Sequence, residues 1–210
     1  GNRLFYDQTK PYEKPILYYN NYTPIKEITI PKGYILQQGW HSVVDRLQNN
    51  NIQFSRLLKD SIISVEVSHI EDYKTGNTAY EGHYLHYDTT VKKSIQELQF
   101  RKGDLYIDTN QFGIRYLLET LEAESSDSFF NWNFFDTILQ QKEGYSSYVF
   151  EDIALNYIEK HPIIKKEFKE KLKTDTAFAK SPEKQLDYIY KKTDHYESAH
   201  LRLPIFKIFK

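Results

Sequence analysis

The sequence contains neither cysteine nor methionine among its 210 residues. Without cysteine, the chain has no disulfide bond, no thiolate nucleophile and no cysteine-ligated zinc. Without methionine, it has no initiator residue of its own. We therefore expect Gly1 to be the remnant of a cleaved tag and the rest to be a piece of a longer protein.

Long apolar runs and an excess of charge of one sign are also lacking. No stretch approaches the roughly 18 apolar residues that a membrane span needs, and no signal-peptide core is present near the start. The chain has 28 Lys and Arg residues and 29 Asp and Glu residues, for a net charge of −1. We therefore expect no membrane span and no nucleic-acid partner, because a basic excess is missing. With 40% hydrophobic residues, the composition is that of a folded domain.

Proline positions and apolar alternation organise the first half of the chain. Residues 1–27 contain Pro11, Pro15 and Pro24, which interrupt any helix, so we predict an extended arm. Residues 28–109 are predicted to be mainly β, because apolar and polar residues alternate from residue 63. Strands are expected at 63–73, 84–87, 94–100 and 105–107.

After Thr109 the apolar residues recur every three or four positions, which is typical of amphipathic helices. Residues 110–210 are therefore predicted to be mainly α, with a last strand over residues 203–208. Helices are expected around 114–121, 134–139, 149–157, 164–172 and 186–190. The fold class predicted from these patterns is α+β, with an antiparallel β-sandwich-like sheet followed by a helical carboxy-terminal layer, packed together as one domain.

His83 and His86, with Glu81 and Asp88 beside them, form the densest group of metal-ligand types in the sequence. On a helix the two histidines would share a face, whereas on a strand they would point to opposite faces. The tyrosines around them favour a strand, so a hydrogen-bonded surface pair is the preferred interpretation. A metal-dependent enzyme at His83 and His86 remains an alternative.

Residues 127–136 hold four phenylalanines and Trp132, interleaved with Asn131 and Asn133. The preferred interpretation is a capped helix whose aromatic side chains fill a core. The alternative is a carbohydrate- or peptidoglycan-binding module, in which Trp132 and Trp40 stack on a glycan and the amides donate hydrogen bonds. An apolar surface that docks another domain is a third interpretation.

Motifs of known catalytic sites are absent from the sequence. It contains no G-x-S-x-G nucleophile elbow, no phosphate-binding P-loop, no G-x-G-x-x-G fingerprint and no H-E-x-x-H or H-x-x-E zinc motif. We therefore predict no catalytic residue and no metal ligand in this chain.

Several short motifs occur in an order that is shared with a known group of proteins. They span residues 80–86, 100–104, 110–111, 115–116, 121–122, 127–136, 140–143 and 148–152, and the run 127–136 is the most specific. The chain resembles the carboxy-terminal portion of bacterial zinc carboxypeptidase-like proteins, common in Bacteroidetes, where this portion follows the metallocarboxypeptidase catalytic domain. The resemblance runs from about Pro11 to Phe209, and Ala123 departs from it where a proline is expected.

The resemblance implies an exported protein, periplasmic or secreted, whose upstream domain removes carboxy-terminal residues from peptides. Zinc is implied only for that missing domain, so no cofactor is expected in this fragment. What remains is a non-catalytic accessory domain that docks on the upstream peptidase domain and shapes substrate access. Its expected contact surface is the arm over residues 11–24 with the aromatic residues near Trp40 and Trp132. A peptide or a glycan is kept as a further partner.

Overall fold

The computed structural model of the chain describes residues 1–24, 26–142 and 144–209. Residues 1–24 contain no helix or strand. All of their side chains are exposed, and nine of these are large and apolar: Leu4, Phe5, Tyr6, Tyr12, Ile16, Leu17, Tyr18, Tyr19 and Tyr22. Residues 1–24 are called the arm below; residue 25, which belongs to the arm predicted over residues 1–27, lies outside the described residues.

Six strands of the described residues form one antiparallel sheet, in the order β2-β5-β1-β6-β3-β4. Val65 and Val67 are buried in β3, as the alternation predicts. The two strands predicted at 84–87 and 94–100 are instead one long strand, β4. The strands are β1 (Gly33–Leu36), β2 (Ser55–Arg56), β3 (Ser61–Thr75), β4 (His86–Phe100), β5 (Leu105–Asp108) and β6 (Arg202–Ile208).

The hairpin of β3 and β4 contains a bulge at Asp88. Between two paired positions, β4 has one residue more than β3, and Asp88 takes a left-handed φ of 52°. Its carboxylate pairs with Lys74 across the hairpin, at 2.6 Å. The extra residue resets the alternation of the strand. As a result His86 and Thr89 are both buried, whereas Tyr87 between them is exposed.

The described residues form six α-helices and one short 3₁₀ helix (Asp136–Leu139). Helix α6 begins as its sequence suggests, because Ser181 accepts a hydrogen bond from the Lys184 N–H and Pro182 follows it. The α-helices are α1 (His41–Asn49), α2 (Ile114–Leu121), α3 (Ser147–Lys160), α4 (Pro162–Thr174), α5 (Thr176–Ala179) and α6 (Pro182–Tyr190).

The α-helix predicted over residues 134–139 is wrong. Residues 129–135 form successive turns that lead into the 3₁₀ helix. The Ser128 hydroxyl accepts a hydrogen bond from the Asn131 N–H, and Asn133 has a φ of 65°, which no α-helix contains. These local side-chain and backbone features compete with helix formation, although the aromatic spacing resembles that of a helix.

The main core lies between one face of the sheet and α1, α2 and the turns of residues 129–139. Two smaller clusters complete the core. One is formed by sheet residues, among them Val65 and Phe206. The other lies within the helical layer, where Phe150 and Tyr190 pack together. The α+β prediction of an antiparallel sheet followed by a helical layer is confirmed. Within the described part of the chain, no helix is long and apolar enough to cross a membrane.

A buried ion cluster joins β6 to β3 and to the end of α2. Lys207 Nζ lies 2.9 Å from a carboxylate oxygen of Glu66 and 2.9 Å from one of Glu122. The Tyr34 hydroxyl donates a hydrogen bond of 2.8 Å to Glu122. Burial alone would lower the pKa of Lys207, but the two carboxylates outweigh it and raise that pKa above 10.5. Burial and the charge of Glu122 raise the pKa of Tyr34 well above its usual range.

Candidate functional site

Three separate segments of the chain meet around a cleft of about 300 Å³, which is called the aromatic cleft below. One segment is α1, the second is the loop between β3 and β4, and the third is the aromatic run after α2. The lining residues are Arg46, Glu81, His83, Asp127, Phe129, Trp132 and Phe134.

A tight turn over residues 80–83 positions His83 at the cleft. Tyr80 and His83 exchange two backbone hydrogen bonds of 2.8 and 2.9 Å. Glu81 and Gly82 between them both have positive φ, 49° and 82°, as a type I′ turn requires. The His83 ring then lies edge-on to Trp132, with centroids 5.5 Å apart, and nearly parallel to a second ring at 6.2 Å, that of Phe134.

The remaining walls of the cleft are also held by specific contacts. The indole N–H of Trp132 donates to Asp127 Oδ1 at 3.3 Å. The Arg46 guanidinium lies 4.8 Å from the centre of the Phe134 ring, which is a cation–π contact. Among the described residues, neither Arg46 nor Glu81 forms an ion pair, and Asp127 forms none either. The cleft therefore presents both signs of charge beside aromatic rings.

His86 does not join His83 at the cleft. Its ring is buried, with Nδ1 2.8 Å from the Thr75 hydroxyl and Nε2 3.1 Å from Asp136 Oδ1. Its edge packs against Tyr73, with centroids 4.7 Å apart. Both ring nitrogens thus have partners inside the protein, and the described residues contain no group of three His, Asp or Glu side chains arranged to hold a metal ion. This arrangement therefore provides no set of metal ligands for the alternative of a metal-dependent enzyme at His83 and His86.

The amide N–H groups of Asn131 and Asn133 are engaged within the protein. Asn131 is 4% exposed; its Nδ2 donates to the Ser125 carbonyl at 2.8 Å, and its Oδ1 accepts from the Thr89 hydroxyl at 2.8 Å. Asn133 Nδ2 donates to the Tyr84 carbonyl at 2.9 Å. These bonds tie the aromatic run to β4 and its preceding loop. The glycan platform suggested by the sequence therefore lacks the amide donors that it was expected to use.

Trp40 lies apart from Trp132. Its ring packs edge-on against Phe135, with centroids 4.9 Å apart, at the border of the main core. Of the six residues predicted to bind a ligand, the cleft contains only His83 and Trp132. Sequence reasoning missed Arg46, because nothing near it in the chain indicates that the last turn of α1 reaches the aromatic run.

A second concave surface lies in the helical layer, between α3 and α6. This groove has a volume of about 1000 Å³ and is lined by apolar side chains that include Leu155, Leu186 and Phe168. Carboxylates of Glu151, Glu183 and Asp187 also line it, and none of the described Lys or Arg residues does. The groove is called the α3–α6 groove below.

The two concave surfaces differ in what they offer a partner. The aromatic cleft has the size of a small-molecule site, since such sites begin at about 300 Å³. The α3–α6 groove is larger, open and bordered by helices, which suits a polypeptide segment. Comparisons of the chain with protein-family models, with curated proteins and with solved structures found no match.

Proposed function

We propose that this chain is a non-catalytic accessory domain that docks on the peptidase domain of an exported zinc carboxypeptidase-like protein. The observation that supports docking is the exposure of helix α3. Of its 14 residues, only Phe150 and Ala154 are buried, although apolar side chains occur around most of its circumference. Tyr148 and Leu155, for example, are 89% and 62% exposed. A helix that is apolar on nearly all sides is normally covered, so this surface supports a protein partner.

The charge of the α3–α6 groove indicates the chemistry of that partner. Asp187 pairs with Lys191 at 2.7 Å, whereas Glu151 and Glu183 form no ion pair among the described residues. An apolar partner surface edged by Lys or Arg would complement the groove. A second copy fits less well, because packing the groove on itself would place the carboxylates of Glu151 and Glu183 from both copies in one interface.

The identity of the partner rests on the motif resemblance rather than on the groove. On this proposal, zinc binding and peptide hydrolysis belong to the upstream domain, which is periplasmic or secreted. The exposed arm connects that domain to the sheet and adds nine apolar side chains to the contact. By covering part of the upstream surface, the accessory domain would shape access of peptides to the catalytic centre.

A binding experiment with the upstream domain tests the docking step. The residues that precede Asn2 in the natural gene are expected to contain an H-x-x-E pair and a later histidine; their absence would refute the carboxypeptidase assignment. The upstream domain is then produced separately and titrated with this chain by calorimetry. Leu155→Glu, in the groove, should weaken binding about tenfold or more. The control Leu58→Glu lies outside the groove, at a side chain that is 88% exposed, and should bind like the parent chain.

Two outcomes would contradict docking through the groove: no association at micromolar concentrations, or equal loss of binding in both variants. The role in substrate access has a separate readout. Adding this chain should change the ratio between the kcat/KM value of the upstream domain for long peptides and its kcat/KM value for short peptides. If the two domains form a complex and this ratio is unchanged, the role in substrate access is refuted, whereas docking is still supported.

A further inference from the structure

The aromatic cleft combines features that a small charged ligand would use. Its cationic group is Arg46 and its anionic groups are Glu81 and Asp127, and none of them is paired with another charged side chain among the described residues. Opposite charges that line one cleft without neutralising each other leave a local dipole. A ligand that carries both charges would satisfy both ends at once.

The groups that line the cleft are held in place before any ligand arrives. The turn fixes the backbone of Glu81 and Gly82 in the left-handed region, and therefore fixes the point from which the Glu81 side chain projects. The bond from the Trp132 indole to Asp127 orients both side chains. Arg46 rests on the Phe134 ring. Such preorganisation reduces the entropy that binding would otherwise cost.

We propose that the aromatic cleft binds a small zwitterion, namely an α-amino acid with an apolar or aromatic side chain. Its carboxylate would pair with the guanidinium of Arg46, whose planar fork suits carboxylates. Its ammonium group would face Glu81 and Asp127 beside the Trp132 ring, where a cation is also attracted by the ring. Its side chain would contact the aromatic walls. This site is independent of the docking proposed above, because the cleft and the α3–α6 groove share no lining residue.

Other ligand classes fit the cleft less well. A simple cation would meet Arg46, and a simple anion would meet Glu81 and Asp127, so each would face repulsion at one end. A neutral glycan would lack the amide donors of Asn131 and Asn133, which are engaged inside the protein.

Tryptophan fluorescence of the full chain provides the test. In a Trp40→Phe background, Trp132 is the only tryptophan and reports on the cleft directly. L-phenylalanine is titrated beside 2-phenylethylamine, which lacks the carboxylate, and 3-phenylpropionate, which lacks the amine. N-acetylglucosamine serves as the glycan probe. Phenylalanine should give a saturable change, with an affinity about tenfold higher than that of either analogue, since each analogue loses a charge-assisted contact.

Charge variants assign the two ends of the ligand. Arg46→Gln should remove the preference for phenylalanine over 2-phenylethylamine, and Glu81→Gln should remove most of the preference over 3-phenylpropionate. Arg115→Gln is the control, because that side chain is 90% exposed and lies outside the cleft, on α2. The proposal is overturned if phenylalanine gives no saturable change, if either analogue binds as tightly, if the glycan binds instead, or if the two cleft variants behave like the control.

Discussion

Replacing Lys207 by methionine would remove the cation that lies between two carboxylates in the core. Lys207 is only 5% exposed, and Glu122 is 9% exposed. At an effective dielectric of about 20, each contact of 2.9 Å corresponds to roughly 6 kcal/mol of gross attraction. The desolvation of three charged groups offsets much of that attraction. Breaking such a cluster from one side leaves uncompensated buried charge and costs about 3–5 kcal/mol.

Denaturant unfolding followed by circular dichroism measures this loss. The control Lys74→Met removes an ion pair with Asp88 whose side chains are 60% and 63% exposed, so its stability should change little. The double variant Lys207→Met with Glu122→Gln should recover part of the loss, because it also removes one of the stranded charges. A Lys207→Met variant as stable as the Lys74→Met control would refute the energetic role of the cluster.

The same cluster predicts how stability depends on pH. The pKa of Lys207 is raised above 10.5 and that of Tyr34 is raised above 10 in the folded state. The unfolded chain therefore loses protons from both groups at a lower pH than the folded chain does. The stabilisation is complete below about pH 10 and declines as the pH rises further, since the unfolded state then binds fewer protons. Unfolding midpoints between pH 8 and pH 11 should fall less steeply in Lys207→Met than in the parent chain.

Two further substitutions have matched controls within the chain, and both are read from thermal or denaturant unfolding. Gly82→Ala places a side chain at a φ of 82° and should cost ~1 kcal/mol, whereas Gly39→Ala meets no atom within 4 Å and should be nearly neutral. Equal effects of the two would contradict the requirement for glycine in the turn. Ser181→Ala removes the cap of α6 and should cost ~1 kcal/mol, whereas Ser146→Ala, before α3, removes no capping bond. A neutral Ser181→Ala would show that Pro182 alone fixes the start of α6.

Much of the fold follows from local patterns, and the exceptions have local causes. The alternation around Val65 and the helical spacing around Leu117 both predict the observed elements, because each element has one buried face. Leu117 lies in the main core, and Val65 lies in a separate cluster of sheet residues with Ile35 and Phe206. The helix expected at 134–139 does not form. Residues 129–135 are successive turns instead, and from these turns Phe129 and Phe135 still reach the main core. Aromatic spacing alone does not distinguish these two backbones.

Less of the candidate site could be predicted from the sequence. Residue types identified Trp132 and His83, but a long stretch of chain separates them, and their contact depends on the hairpin of β3 and β4. The inward orientation of His86 depends on the bulge at Asp88, which resets the strand alternation and has no clear signal in the sequence. The participation of Arg46 depends on the packing of α1, which is a tertiary feature.

The position of β6 has a consequence for how the protein forms during synthesis. β6 follows the six described α-helices in the chain, yet it lies between β1 and β3 in the sheet. Until residue 208 has left the ribosome, β1 with β5 and β2 is one ribbon, and β3 with β4 is another. Until β6 pairs with both ribbons, the edges of β1 and β3 can pair incorrectly with other strands. This exposure lasts while the nearly one hundred residues between β5 and β6 are translated. The edges of β1 and β3 are therefore the part of the sheet that needs protection until β6 pairs with them.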